Sequence, residues 1–317
     1  MTNKIVVVGS YNVDITLQTE RFPEAGETVL GKSITFSHGG KGANQAVAAA
    51  RAGANVSFIA RVGDDDYGRK AVEDLKKEQI NTDGIIWDSS APTGMASITV
   101  NDQGENCIVA VSGANAHLSS QDIDQHKNLI HAADVLLIQL ETPLPTIEKA
   151  IQIAHEKKVC VILDPAPAQK IKPEILSMVS LITPNKGETE LLTGRKISDE
   201  NSLKKAANHL LSMGIKVVII TLGKEGIYLA THEEHKKIPA CQVRTIDSTG
   251  AGDVFNGVLA ARYLPDKSHL VKTAVYAVAA SSLSVTKKGA QTAIPMSCEI
   301  DQFMEESIRK NVLPDVS

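Results

Sequence analysis

Apolar residues fall along this chain in two rhythms. Continuous β-branched runs at 4–10, 135–140, 159–163, 181–183 and 217–221 predict strands buried on both faces, the pattern of a parallel sheet. Between them, helical spacing or alanine-rich composition predicts helices over 43–52, 67–79, 144–157, 202–213, 268–284 and around 300–309. Further strand-like stretches lie at 55–61 and 84–87 and around Tyr228 and Val243. This alternation predicts an α/β fold, a doubly wound and mostly parallel sheet.

Two stretches break the alternation. Residues 15–37 have no helical period and carry turn signals at Pro23, Gly26 and Gly31, so short strands are expected there. In 94–111, Ala96, Ile98 and Val100 alternate with Ser97, Thr99 and Asn101 before a turn at Asp102-Gln103-Gly104 and a second run, the pattern of a hairpin. Together they predict a small β-sheet lid with one apolar face and no helix of its own, suited to closing over a ligand or pairing with a second subunit. The expected division is a main α/β domain of 1–14, 38–92 and 114–311, a discontinuous lid of 15–37 and 93–113, and a frayed tail at 312–317.

Composition narrows the functional classes. With 317 residues, 43% hydrophobic and 22% charged, the chain can bury a large core. Its net charge of −4, scattered lysine pairs and 3% aromatic content exclude a nucleic-acid surface or a base-stacking platform. The apolar run at 5–8 is too short for a signal peptide or membrane span, so a cytoplasmic protein is expected. Cys107, Cys160, Cys241 and Cys298 are widely spaced and read as reduced core residues. His232-Glu233-Glu234-His235 falls one residue short of a zinc-binding HExxH and reads as a surface turn.

The chemistry concentrates at 247–253, DSTGAGD. The extended residues Arg244-Thr245-Ile246 lead into Gly250-Ala251-Gly252, after which Val254, Val258 and Ala261 recur at the spacing of one buried helix face. A helix N-terminus on these small residues offers unpaired N–H groups and a positive dipole end to an anion. Asp253 in the first turn would repel that anion, which suggests a base beside a phosphate; the plainer alternative is a solvated helix acid. Walker A is excluded, because Lys41 has Thr35 six residues before it and Gly42 after it. A dinucleotide GxGxxG is excluded too, because Gly9 is followed by Ser10-Tyr11-Asn12.

The segment 39–46 (GGKGANQA) near one end and 247–253 near the other resemble the two signatures of the ribokinase family of sugar kinases, the phosphofructokinase-B type. Asn12-Val13-Asp14, Gln139-Leu140-Glu141, Asn185-Lys186-Gly187-Glu188, 221–226 and 287–291 extend the resemblance over nearly the whole chain. It implies a kinase that uses Mg2+ and ATP to phosphorylate D-ribose at O5, with Asp253 as base and the N–H groups of Gly250, Ala251 and Gly252 holding the migrating charge. Sugar contacts are implied for Asn12, Asp14, Gly40, Lys41, Gly42, Asn44 and Glu141 together with Asp253. Nucleotide contacts are implied for Asn185 and Glu188 at the Mg-phosphate end and for Thr221, Gly223, Lys224, Gly226, Gly252 and Val278. A potassium ion is implied at Asp247, Thr249, Ser284, Lys287 and Gly289, largely through backbone carbonyls.

Each of these positions also has an ordinary structural reading. Asn12 and Asp14 suit a loop, Lys41 a solvated side chain, and Asp247 an Asx-turn. Glu141 precedes Thr142-Pro143, which reads as an N-cap and N1 proline; Asn185 and Glu188 form a capping-box pattern, and 221–226 reads as a glycine-rich turn. The chain departs from the family pattern at Ser248 (for threonine), at Ala293 (where a hydroxyl is frequent) and at Val278 (for a polar residue near the adenine). Alternative readings are a kinase for 2-deoxyribose, another sugar or a nucleoside, or a non-catalytic sugar-binding regulator. A homodimer through the lid is expected.

Overall fold

Strand β1 (Lys4–Val8) shows why continuous apolar runs are needed here. Successive side chains of a strand point to opposite faces. Ile5 and Val7 enter one hydrophobic core, while Val6 and Val8 enter a second. Helices cover both sides of the sheet, so no position of the run is left for a polar residue. The computed structural model describes residues 3–263 and 269–309.

The chain continues through β2 (Asn12–Gln18), β3 (Ser33–Gly39), β4 (Asn55–Gly63), β5 (Asn81–Asp88), β6 (Gly94–Val100) and β7 (Asn106–Val111). It then forms β8 (Val135–Ile138), β9 (Cys160–Leu163), β10 (Leu181–Ile182), β11 (Val217–Thr221), β12 (Ile227–Ala230) and β13 (His235–Ile238). Nine strands make one sheet in the order β13-β12-β11-β10-β9-β8-β1-β4-β5, parallel except where β12 pairs antiparallel with β11 and β13. The expected doubly wound fold is therefore present. Strand order reverses at β1, which lies between β4 and β8, so the crevice beyond the C-terminal ends of β1 and β8 is the topological switch point where such sheets bind ligands.

The small sheet has the order β3-β2-β6-β7 and is mixed: β2 pairs parallel with β6 and antiparallel with β3. Pairing of β2 begins at Asn12 and that of β3 runs to Gly39, so Asn12 and Asp14 ride on the small sheet. Ile34, Phe36, Ile108, Val109 and Val111 on this sheet are each more than half exposed.

Several elements differ from the sequence reading. No strand forms at Val243; the last strand is β13, whose two lysines point outward and whose apolar signal reduces to Ile238. The helix expected from residue 43 runs Lys41–Arg51, because Gly40, at φ 86°, serves as its N-cap. Short helices at Ser120–Gln125, Lys127–His131 and Pro173–Leu176 carry too few residues to show a period. The helix expected over 268–284 is Leu270–Ser284; residue 268 and the expected tail 312–317 lie outside the described residues. Cys160 and Cys241 are buried as expected, whereas Cys107 and Cys298 are exposed and belong to no core.

The Lys41–Arg51 and Ala251–Arg262 helices cross at Gly257. A Cβ there would lie 2.5 Å from the Gln45 carbonyl oxygen, 2.6 Å from Ala48 Cβ and 2.9 Å from Ala49 N. Gly→Ala in an open helix interior stabilises by about 1 kcal/mol. Gly257→Ala should instead destabilise by about 1–3 kcal/mol, because it overpacks this crossing. Thermal unfolding checks the sign, and an unchanged or raised Tm would show that the two helices separate freely.

Candidate active site

Four parallel strands deliver polar residues to one edge of the sheet. β1 ends at Ser10 and Tyr11, β8 leads to Gln139 and Glu141, β9 to Asp164, and β10 to Asn185. The Ser10 hydroxyl donates to Glu141 Oε2, and the Lys41 amide donates to the same oxygen at 2.9 Å. Glu141 is thus tied to both the end of β1 and the start of the Lys41–Arg51 helix. It does not flank a Thr142 cap, because the following helix begins after Pro143 with no side-chain cap. Asn12 Oδ1 accepts from Asn115 Nδ2 at 2.8 Å, and Asn115 also exchanges hydrogen bonds with the Tyr11 backbone at 2.9 Å. A cavity of about 410 Å3 opens here, lined by Ser10, Asn12, Asn115 and Glu141 together with Ala110 and Val111 of β7.

Asp253 is the most constrained acid of the site. It stands in the first turn of the Ala251–Arg262 helix and is only 5% exposed, so the solvated-acid alternative does not hold. Asn44 Nδ2 donates to its Oδ2 at 2.9 Å and Gln45 Nε2 to its Oδ1 at 3.1 Å. Lys41 Nζ lies 4.0 Å from Oδ1, with a side chain 31% exposed rather than fully solvated. Asn44 Oδ1 is buried without a protein partner, which leaves it an acceptor to offer to a ligand. Gly42 is buried under Ser10, donating to its Oγ at 3.4 Å.

Gly250 caps the helix in the left-handed region at φ 75°, with no side-chain cap on the first-turn N–H groups. Of the three expected anion donors, the Ala251 N–H already donates to Ser248 O at 3.2 Å. Beside this terminus lies a cavity of about 750 Å3, into which Thr221, Gly223, Lys224, Gly226, Gly252 and Val278 all project. Its size, its apolar walls from Ile227, Phe255 and Val285, and the helix terminus at one end suit a nucleotide. Asn185 and Glu188 stand outside this wall and complete the capping box in both directions: Glu188 N to Asn185 Oδ1 at 2.9 Å, and Asn185 N to Glu188 Oε2 at 2.7 Å.

Asp247 forms the Asx-turn, accepting the Thr249 amide at 2.9 Å and its hydroxyl at 2.7 Å. Its other oxygen accepts the Gly289 amide at 2.9 Å, so the 247–250 loop and the 285–289 loop are held together. Burial works against its charge, yet the donors from Thr249 and Gly289 outweigh it and hold the carboxyl below its ordinary value. The Ser284 carbonyl accepts the Lys287 amide at 3.0 Å. Among the described residues no trio of His, Cys, Asp or Glu side chains is arranged for a metal, so a cation here would rely on carbonyls, phosphates or water.

The electrostatics are those of acids crowded round one ammonium. Burial, then the nearby Glu141 and Asp253 carboxylates, push Asp14 up to about 6. Burial opposes the charge of Lys41, but Asp253, Asp164, Glu141 and Glu188 together hold its ammonium above the ordinary lysine range. Burial raises Glu188, against the Asn185 amide and Lys41. Burial also pushes Asp164 up to about 8, with Lys41 opposing and Asp253 and Glu188 adding to the rise. Asp164, Gln45 and Ser10 were not among the sequence candidates. The available signal was positional: Asp164 is the first polar residue after the buried run of β9, at the ligand-binding edge.

A doubly wound sheet with a nucleotide-sized cavity at a helix N-terminus, and a set of amides and acids beside it, defines a class of small-molecule phosphotransferases. The family model described as pfkB family carbohydrate kinase matches residues 2–296, and the chain belongs to that family. It is 43% identical over 303 residues to the ribokinase of Staphylococcus aureus, covering 95% of this chain and all of that protein. It is 34% identical over 303 residues to the deoxyribokinase of Salmonella typhi, covering 95% of this chain and 97% of that one. The solved structure of Arabidopsis thaliana ribokinase complexed with ribose and ATP superposes with a TM-score of 0.90 at 29% identity, covering 96% of this chain and 99% of that chain.

The Asp164 shift carries a stability consequence. Its folded value of about 8 lies above the ordinary 3.8, so between the two the folded state holds an extra proton and stability falls as pH rises through that window. Asp164→Asn keeps the shape without the titration. Its gain in Tm over the unsubstituted protein should therefore grow from about pH 5 to about pH 8. A gain that stays flat across this window would mean that Asp164 is already ionised in the folded protein.

Proposed function

We propose that the chain transfers the γ-phosphoryl group of ATP to O5 of D-ribose. The observation that carries this reading is Asp253, buried next in sequence to Gly252 of the nucleotide-sized cavity wall, with its oxygens fixed by Asn44 and Gln45, Lys41 Nζ 4.0 Å away, and Asn12 and Glu141 lining the smaller cavity. Asp14, Gly40 and Asn44 complete the sugar set in this reading. Asp253 accepts the proton of the primary hydroxyl. The first-turn N–H groups, those of Gly250 and Gly252 above all, receive the charge that moves with the phosphoryl group. Phosphoryl transfer has a loose transition state, so orienting the hydroxyl and neutralising charge contribute more than proton removal.

Mg2+ bound with ATP supplies positive charge to the phosphates. Glu188 and Asn185 suit an indirect, water-mediated contact with it, because each Glu188 oxygen uses one lone pair on Asn185 and keeps another free. A potassium ion fits the paired loops at 247–250 and 284–289, with Asp247 and the carbonyls of Thr249, Ser284, Lys287 and Gly289 as donors. Val278 gives the adenine an apolar wall instead of a polar partner.

Ribose is favoured over 2-deoxyribose by the placement of Asn12 and by the greater identity to the ribokinase, 43% against 34%. Retention of Asp253 with its donors argues against a non-catalytic regulator. ADP release measured at equal concentrations of ribose, 2-deoxyribose, fructose and adenosine should give ribose the largest kcat/KM. A larger value for 2-deoxyribose or adenosine would overturn the substrate assignment.

The small sheet acts as a lid over the sugar in this reading, and its exposed apolar residues pair with those of a second copy. A dimer is expected in the cytoplasm and in solution. Light scattering at micromolar protein should return twice the chain mass, and a monomer would remove the dimer while leaving the kinase reading intact.

A further inference from the structure

Gln45 is the most enclosed polar side chain near the base, with no exposed surface. Its one NH2 group serves two acids: Nε2 donates to Asp164 Oδ2 at 2.7 Å and to Asp253 Oδ1 at 3.1 Å. Its carbonyl oxygen accepts from Gln139 Nε2 at 2.6 Å. Gln139 is equally enclosed, lying against the end of β1, where a Cβ on Gly9 would come within 2.2 Å of its Oε1. The reverse orientation of the Gln45 amide would face its oxygen to both acids and leave its NH2 against that of Gln139. The observed orientation is the one that gives Asp253 its second donor, while Gln139 Oε1 is itself buried without a protein partner.

We propose that Gln45 is a positioning residue for phosphoryl transfer, fixing the direction of the Asp253 carboxylate and separating it from Asp164, with Gln139 holding the amide in register. The inference rests on Asp253 being the base proposed above. A carboxylate held at one oxygen alone can turn about its Cβ–Cγ bond. Held by Asn44 at Oδ2 and Gln45 at Oδ1 it cannot, and each oxygen keeps a further lone pair for a sugar hydroxyl. The titratable groups that act on Asp253 are Lys41, Asp14 and Asp164, while Glu141 and Glu188 act on Lys41 and, respectively, on those two aspartates. Without the Gln45 donor, Asp253 Oδ1 faces Asp164 with only Lys41 Nζ, 4.0 Å away, to offset it, and the loss of a donor favours the protonated form of a carboxylate.

The test is steady-state kinetics of Gln45→Met and Gln139→Met across pH, at saturating ATP and varied ribose, beside Asp253→Asn. For Gln45→Met, kcat should fall about 100-fold with KM for ribose within about threefold, because the loss is in orientation for the transition state. The acid limb of its kcat/KM profile should move up by about one pH unit. Gln139→Met should show the same signature, reduced to about tenfold in kcat. A merely structural role would lower Tm and activity while leaving the acid limb in place, and that result overturns the proposal. If Gln45→Met does not fold, Gln139→Met decides alone on the same criterion. Asp253→Asn separates the two readings: turnover abolished there with an unmoved limb in both methionine variants sinks only the positioning role. Near-normal turnover of Asp253→Asn sinks the base assignment and this inference with it.

Discussion

Burying a carboxylate is the constraint on which the rest of this structure depends. An ionised acid taken out of water is tolerated only if donors replace the lost hydration. Asp253 cannot find those donors on its own helix, whose first-turn N–H groups face the nucleotide cavity. They come from Asn44 and Gln45, and this requires the Lys41–Arg51 helix to cross the Ala251–Arg262 helix at close range. The glycine at 257 and the alanines facing it follow from that need. So does the alanine-rich composition that made the first helix conspicuous in the sequence.

The same crossing accounts for the charge pattern. Glu141, Asp164, Glu188 and Asp253 converge on one lysine, with Asp14 beside Glu141 and Asp253, an arrangement that burial alone would oppose. The structure manages it unevenly. Glu141 and Glu188 accept backbone or hydroxyl donors, Asp253 accepts two amides, and Asp14 and Asp164 are left with carboxyls pushed well above the ordinary aspartate value. A site of this kind holds excess negative potential, which suits polyol hydroxyls and cations and requires any phosphate to arrive with its charge screened. The glycine-rich helix terminus beside the acids is where that screening is supplemented by backbone dipoles.

Much of this was legible in the chain. The buried strands announced themselves because both faces are covered, and the small sheet because one face is not. Asp253, Asn44, Lys41 and Glu141 come together in the structure, as do Thr221, Gly223, Gly226 and Val278. What was hidden has a common cause. β13 has a single buried side chain, the short helices have fewer residues than a period can reveal, and Asp164 and Gln45 act through contacts between residues 119 positions apart. Local pattern records which face of an element is apolar. It does not record which distant acid an amide will meet, and the capping-box reading of Asn185 and Glu188 shows the converse, a local pattern realised in full that leaves any ligand role to be tested.

One division of labour follows from the strand register. Asn12 and Asp14 sit on β2, within the small sheet, whereas Asp253 and Gly252 sit on a helix of the main body. In the proposed reading, the sugar contacts are therefore carried partly by the small sheet and the base by a helix of the main body. Asn115, reaching from the segment after β7 to both Asn12 and the Tyr11 backbone, ties the two strand connections of the small sheet to each other. A change in the angle of that sheet would move Asn12 and Asp14 relative to Asp253 as one unit. In that reading, sugar binding and alignment of the reacting hydroxyl would then be coupled, because Asn12 and Asp14 keep their places relative to Asp253 only for one placement of the small sheet.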